Sequence, residues 1–194
     1  MKKTSELKNL VEQTKRREKI KKEKVDIKWI ITIIIVAFTI SFGLSFVANS
    51  TIPNLSLAFG IIITLLFIII GILFDIIGVS VTGADEAVFH SMAARKVKGA
   101  STAVKFKKNA DKTSSFCCDV IGDICGVISG AAGTTICAIL VTKYHTDLLI
   151  TGLVITAIIS SLTIGGKALG KSFAINKSDI ILYEFAKIVS NFYH

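Results

Sequence analysis

Ser115–Val141 reads SFCCDVIGDICGVISGAAGTTICAILV, and two of its residues decide how the whole chain is read. Without Asp119 and Asp123 the segment is an apolar helix long enough to cross a bilayer, which takes about 20 residues. The two carboxylates stand four residues apart, so α-helical spacing puts both on one face. Ser115, Gly122, Gly126, Ser129 or Gly130, and Gly133 continue that face with small residues. An ionised side chain at the bilayer centre costs roughly 2.5–3.5 kcal/mol on insertion scales. Two of them one turn apart are sustained only against protein, water or a cation.

The surrounding chain supports a membrane setting. It has 194 residues, 52% of them hydrophobic, and a mean hydropathy of +0.66. That is too apolar for a soluble domain of this length and fits a multi-span, all-helical integral membrane protein. The formal net charge is +9, but no aromatic residues interleave with the basic runs, so the charge reports topology and not a nucleic-acid partner. No phosphate loop, nucleophile elbow or zinc helix occurs, which argues against an enzyme.

Outward from Ser115–Val141, three more apolar stretches read as spans: about Trp29 to Ala48, Leu57 to Thr82, and Leu148 to Gly166 with a possible extension to Gly170. The chain divides into a basic arm at 1–28, an extra N-terminal span with an outer loop at 29–56, a membrane core at 57–174 and a tail at 175–194. The first apolar run is too long for a cleaved signal peptide and reads as a retained anchor. Asn49–Ser56 has no Lys or Arg and Thr142–Asp147 only Lys143, whereas the arm, the 85–112 segment and the tail are basic. Four spans with both termini in the cytoplasm satisfy this asymmetry. The arm is then positioned to touch anionic lipid.

Asp85–Lys112 carries apolar Val88, Met92, Val97, Val104 and Phe106 among basic residues, with Gly99 near its middle. This pattern predicts two short amphipathic helices at the membrane surface. The fold expected is therefore a four-span bundle with a juxtamembrane helix pair.

The polar residues inside the spans are the candidates for chemistry. Gly122, Gly126 and Gly130 repeat every four residues, a spacing that lets helix backbones approach closely and exposes carbonyl oxygens. Beside Asp119 and Asp123 those oxygens would supply the hard ligands that magnesium or calcium requires. Asp75, Thr82 and Glu86 fall at i, i+7 and i+11, among Gly78, Ser80, Gly83 and Asp85, a pattern fitting a broken helix that lines a cavity. Equally, Asp85 and Glu86 fit the start of the following short helix. Thr156, Ser160, Thr163 and Lys167 share a face of the last span, so Lys167 either snorkels with Lys171 or pairs with Asp119 or Asp123. Cys117, Cys118, Cys125 and Cys137 have neither CxxC nor metal-ligand spacing and read as buried, reduced thiols, with a soft-metal site as the alternative.

Three stretches resemble the membrane domain of the CorB/CorC and cyclin-M (CNNM) family, associated with magnesium and cobalt transport or efflux. GADEAVFHSMAARKV (Gly83–Val97) resembles the family's S-x-S-E-T-A-L-x-S-L run, with Glu86 on its glutamate and Ser91 on its later serine. ADKTSSFCCDVIGDICGVISG (Ala110–Gly130) resembles the P-D-R-x-L…G-N-x-x-x-N segment, whose amides fall near Asp119, Asp123 and Gly126. GGKALGKSFA (Gly165–Ala174) resembles F-G-E-x-x-P-K-S-x-A.

The resemblance implies a divalent-cation transporter of the magnesium/cobalt class and a homodimer. Asp119, Asp123 and Glu86 would face the cation with backbone oxygens near Gly83 and Gly126, while Lys167, Asp85 and Asp75 would modulate the site. The departures matter. Lys167 replaces the third motif's glutamate and Gly170 its proline, and Gly83 and Asp85 replace serines of the first. Either the carboxylate lost at 167 is regained at 119 or 123, or the Lys167 ammonium occupies the cation's place. A non-transporting membrane scaffold or regulator, and a proton- or sodium-coupled carrier, are the alternatives.

Overall fold

The computed structural model describes residues 27–51 and 56–192. Most of the basic arm and residues 52–55 of the outer loop lie outside them. All regular structure among the described residues is helical: α1 (Ile27–Thr51), α2 (Leu57–Gly83), α3 (Glu86–Ala94), α4 (Ala100–Lys108) and α5 (Ala110–Ser115), then a π-helical turn (Phe116–Gly122), α6 (Asp123–Tyr144), α7 (Leu148–Asn176) and α8 (Ser178–Phe192). The chain falls into two compact units, 1–35 and 36–194, with the boundary inside α1.

Four helical segments are long and apolar enough to cross a membrane: Ile27–Ala48, Leu57–Gly83, Ala110–Tyr144 and Leu148–Asn176. Two of these outrun the stretches expected from the sequence. The third begins at Ala110 and not Ser115, and the fourth continues through Lys167 and Lys171 to Asn176. Hydropathy marks where apolar side chains stop. Lysine is a good helix former, so the backbone ladder continues past that point.

In α1, Phe38 and Phe42 stack with ring centroids 6.2 Å apart. In the second unit, α2, α6 and α7 pack on one another. The buried residues of α2 include Gly60, Thr64, Gly71, Asp75 and Gly78, while Ile61, Ile62, Leu65, Leu66, Ile69 and Leu73 are exposed. Ile68 of α2 and Ile124, Ile128 and Ile136 of α6 are buried beside these small residues, and small residues at the contacts are a feature by which helices associate in lipid. It permits close contact: a Cβ on Gly71 would stand 3.1 Å from Cys125 Cβ and 3.3 Å from the Gly122 carbonyl oxygen. The hairpin between α6 and α7 turns on His145 in the left-handed region. Asp147 then caps α7, accepting from the Leu149 and Ile150 amides at 2.8 and 3.1 Å.

The other end of the unit has an apolar core. Val81, Ala84, Phe89, Ala103, Leu182 and Ala186 form a buried apolar cluster joining α2, α3, α4 and α8. The two short helices expected in 85–112 are α3 and α4. Gly99 separates them in the left-handed region (φ 86°), and a Cβ there would stand 2.8 Å from Lys187 Cα of α8. The 175–194 stretch, read from sequence only as a tail, contains α8, whose Leu182 and Ala186 are fully buried.

Candidate functional site: carboxylates and lysines between three helices

Asp75 is the single charged residue of α2, and it points inward with 3% of its surface exposed. Lys167 reaches it from α7. The Lys167 ammonium lies 3.6 Å from Asp75 Oδ1 and 3.3 Å from Asp123 Oδ1 of α6. Lys171, one turn further along α7, stands 3.8 Å from Asp75 Oδ2. That contact is Coulombic and beyond hydrogen-bond range, so Asp75 Oδ2 is a buried oxygen with no hydrogen-bond partner. The four charges alternate in sign: Lys171, Asp75, Lys167, Asp123.

The close packing of small residues makes room for this chain. A Cβ on Gly122 would lie 3.5 Å from the Lys167 Nζ and 3.7 Å from the Gly71 carbonyl oxygen. Gly78 packs on Cys117 and Cys118, and the Cys118 thiol donates to the Asp75 carbonyl at 3.6 Å. Cys117, Cys125 and Cys137 are buried, Cys118 is half-buried, and all four are free thiols.

The π turn at Phe116–Gly122 carries Asp119, and Asp123 opens the α-helix that follows. Hydrogen bonding from i to i+5 breaks the 3.6-residue period on which the expected shared face rests, and such turns recur at functional sites. Asp123, whose side chain is 69% exposed, pairs with Lys167. Asp119 is exposed too, but its side chain makes no hydrogen bond or salt bridge among the described residues.

The other expected site residues lie elsewhere. α2 ends at Gly83, so Glu86 does not share a helix with Asp75: it starts α3 and meets His90 Nε2 at 3.1 Å. Asp85 is the α3 cap, accepting from the Ala87 amide at 2.9 Å, and its own amide donates to Asp179 Oδ1 at 2.8 Å. Gly83 faces Ser178. The neighbouring carbonyls at the end of α2 receive an ammonium: Lys107 donates to the Thr82 oxygen at 2.8 Å and the Val81 oxygen at 3.3 Å. The Gly126 carbonyl accepts from Ser129 at 2.9 Å. Of the glycine repeat, Gly122 is packed against α2, whereas Gly126 and Gly130 have nothing within 4 Å of an added Cβ. On α7, Thr163 bonds back to the Ile159 carbonyl at 2.8 Å.

Two participants escaped the sequence reading in their real roles. Asp75 is the centre of the cluster, and Lys171 is its second cation. A lone acid in the 27-residue, mostly apolar α2 was the available signal. Among the described residues no three His, Cys, Asp or Glu side chains converge as a metal-binding group. At two places where the sequence suggested a cation's ligands, Asp123 and the end of α2, a lysine ammonium stands.

Compared with family models, characterised proteins and solved structures, the chain matches none.

Proposed function

We propose that the chain is an integral protein of the cell membrane that transports or exports a divalent cation of the magnesium and cobalt class at the Asp75–Lys167–Asp123 junction. Its four long apolar helices span the bilayer with both termini on the cytoplasmic side, where the basic segments lie. The observation that carries the reading is the Lys167 ammonium held between carboxylates of two different helices, beside a π turn. In this reading Lys167 is a resident counter-cation. It neutralises the carboxylates while the site is closed and yields them to an arriving ion.

The ligand chemistry suits magnesium as cargo, since that ion keeps several waters and takes one or two carboxylates. Asp119, exposed one step from Asp123, adds negative charge on the approach. A second copy in a homodimer would cover Asp119 and Asp123, which one copy leaves exposed. The resemblance of Gly83–Val97, Ala110–Gly130 and Gly165–Ala174 to the CorB/CorC and cyclin-M membrane domain points the same way.

One observation favours the non-transporting scaffold instead: two carboxylates and two ammonium groups already balance. Flux by purified protein in liposomes, compared for magnesium, cobalt, sodium and protons, separates the readings. Transport predicts magnesium or cobalt flux that disappears in Asp75→Asn with Asp123→Asn. Flux of sodium or protons alone gives a monovalent carrier. No flux of any ion, in wild type or in Lys167→Gln, leaves the scaffold. Cysteine labelling at Ser5 and Ser190 tests the topology, with both protected from outside reagents.

A further inference from the structure

A second polar site lies at the basic end of the molecule, away from the cluster. A cavity of about 590 Å³ opens between the start of α4 and the end of α8. That is within the range of small-molecule sites, roughly 300–1,000 Å³. Its walls bring together Lys98, Thr102 and Lys105 from one side and Val189 and Ser190 from the other, over the ring of Phe106. Phe106 is fixed by stacking on Phe185, centroids 5.5 Å apart. The left-handed Gly99, with α8 packed against it, sets the spacing of the two walls.

The charge of this end is one-sided. From Ala87 to Ala110 there is no acidic residue, and there are six basic ones: Arg95, Lys96, Lys98, Lys105, Lys107 and Lys108. Asp111, one residue beyond this stretch, is exposed on α5, and the other nearby acids are already engaged. Glu86 meets His90, Asp85 caps α3, Asp179 accepts from the Asp85 amide, and Glu184 lies 3.6 Å from Lys187. Lys107 is committed to the α2 carbonyls. Lys98 and Lys105 are in no salt bridge among the described residues, and both line the cavity. Thr102 and Ser190 add hydroxyls. Ser190 donates its proton to the Lys187 carbonyl at 2.8 Å, so Thr102 carries the hydroxyl left to donate to an anion. Backbone N–H groups in the first turn of α4 add positive potential.

We propose that the cavity between α4 and α8 binds a phosphate group, with Lys98 and Lys105 neutralising its charge, Thr102 donating a hydrogen bond, and Phe106 and Val189 packing against the organic part it is esterified to. Two ammonium groups, a hydroxyl and an apolar floor suit a phosphate ester, whether a lipid headgroup or a free solute. The site is independent of the cation reading and stands or falls without it.

The test uses the full chain in phosphatidylcholine nanodiscs. Inorganic phosphate is titrated calorimetrically at constant ionic strength, and phosphatidic acid added to the discs is counted on the protein by native mass spectrometry. Saturable binding of at least one probe is expected. Binding of phosphatidic acid alone assigns a lipid headgroup, and binding of inorganic phosphate assigns a soluble source. Lys98→Gln with Lys105→Gln should weaken binding roughly 25-fold, taking about fivefold per lysine. Thr102→Val should weaken it by less, and Lys143→Gln, at the opposite end of the bundle, should leave it unchanged. Both lysines are exposed, so the double variant keeps both cores. No saturable binding of either probe overturns the proposal, as does an unchanged affinity in the double variant or an equal loss in Lys143→Gln.

Discussion

The two ends of the second unit bury different mixtures of side chain. Between α2, α6 and α7 the interior mixes Ile68, Ile124, Ile128 and Ile136 with glycine, threonine, serine, cysteine and a carboxylate, while most large side chains of α2 and α7 face outward. Between α2, α3, α4 and α8 the interior is Val81, Phe89, Leu182 and alanine, as in a water-soluble domain. The exposed isoleucines and leucines of the first suit an apolar surrounding such as lipid, which supplies no hydrophobic drive to hide them. The second is stable where water supplies that drive. One helix, α2, passes from one mixture to the other along its length, from Gly71 and Asp75 to Val81. The basic end therefore packs by hydrophobic burial, and the long helices add close small-residue contact and charge.

The difference predicts which substitutions hurt, and by which mechanism. Lys167→Met should be the most damaging change in the long helices. It leaves Asp75 buried with only the 3.8 Å contact to Lys171, and breaking such a pair costs on the order of 3–5 kcal/mol. The loss should appear as a lowered melting temperature in detergent without divalent ions. Asp75→Asn added to Lys167→Met should recover part of it, because the uncompensated charge is then gone. Failure of that double variant to recover would mean that Lys167 acts by packing.

Leu182→Ala tests the other end. It should cost roughly 2–5 kcal/mol through lost burial and a cavity, measured by the same melting experiment, with no dependence on magnesium. A smaller effect follows from Lys107→Gln, which removes the ammonium from the Val81 and Thr82 carbonyls: about 1 kcal/mol. Smallest should be Asp123→Asn. Its carboxylate is largely exposed, and pairs of that kind contribute about 0–1 kcal/mol. An Asp123→Asn loss as large as that of Lys167→Met would mean that the site is buried by a partner copy.

Much of this contrast was legible in the sequence. The long apolar helices follow from composition and length, and Gly99 marks the break between the short helices. The Lys167–Asp123 pair was among the partners anticipated from the polar face of α7. Three things were hidden for identifiable reasons. The π turn changes the helical period without a distinctive residue to announce it, so Asp119 and Asp123 looked equivalent when one pairs and the other does not. Asp75 meets its lysines across some ninety residues of chain, a distance no local pattern spans. α8 did carry a signal, with Ile181, Leu182, Phe185, Ala186 and Val189 at helical spacing behind Ser178 and Asp179. It was concealed by its short length beside the long spans.

The central claim is that the Lys167 ammonium stands where a cation binds. Calorimetric titration of magnesium into purified wild type, Lys167→Met and the milder Lys167→Gln tests it most directly. The account predicts tighter magnesium binding in both variants than in wild type, with magnesium restoring part of their lost melting temperature and Asp75→Asn abolishing the gain. Identical magnesium response in all three proteins would contradict it, and would make the lysine a structural partner of Asp75 alone.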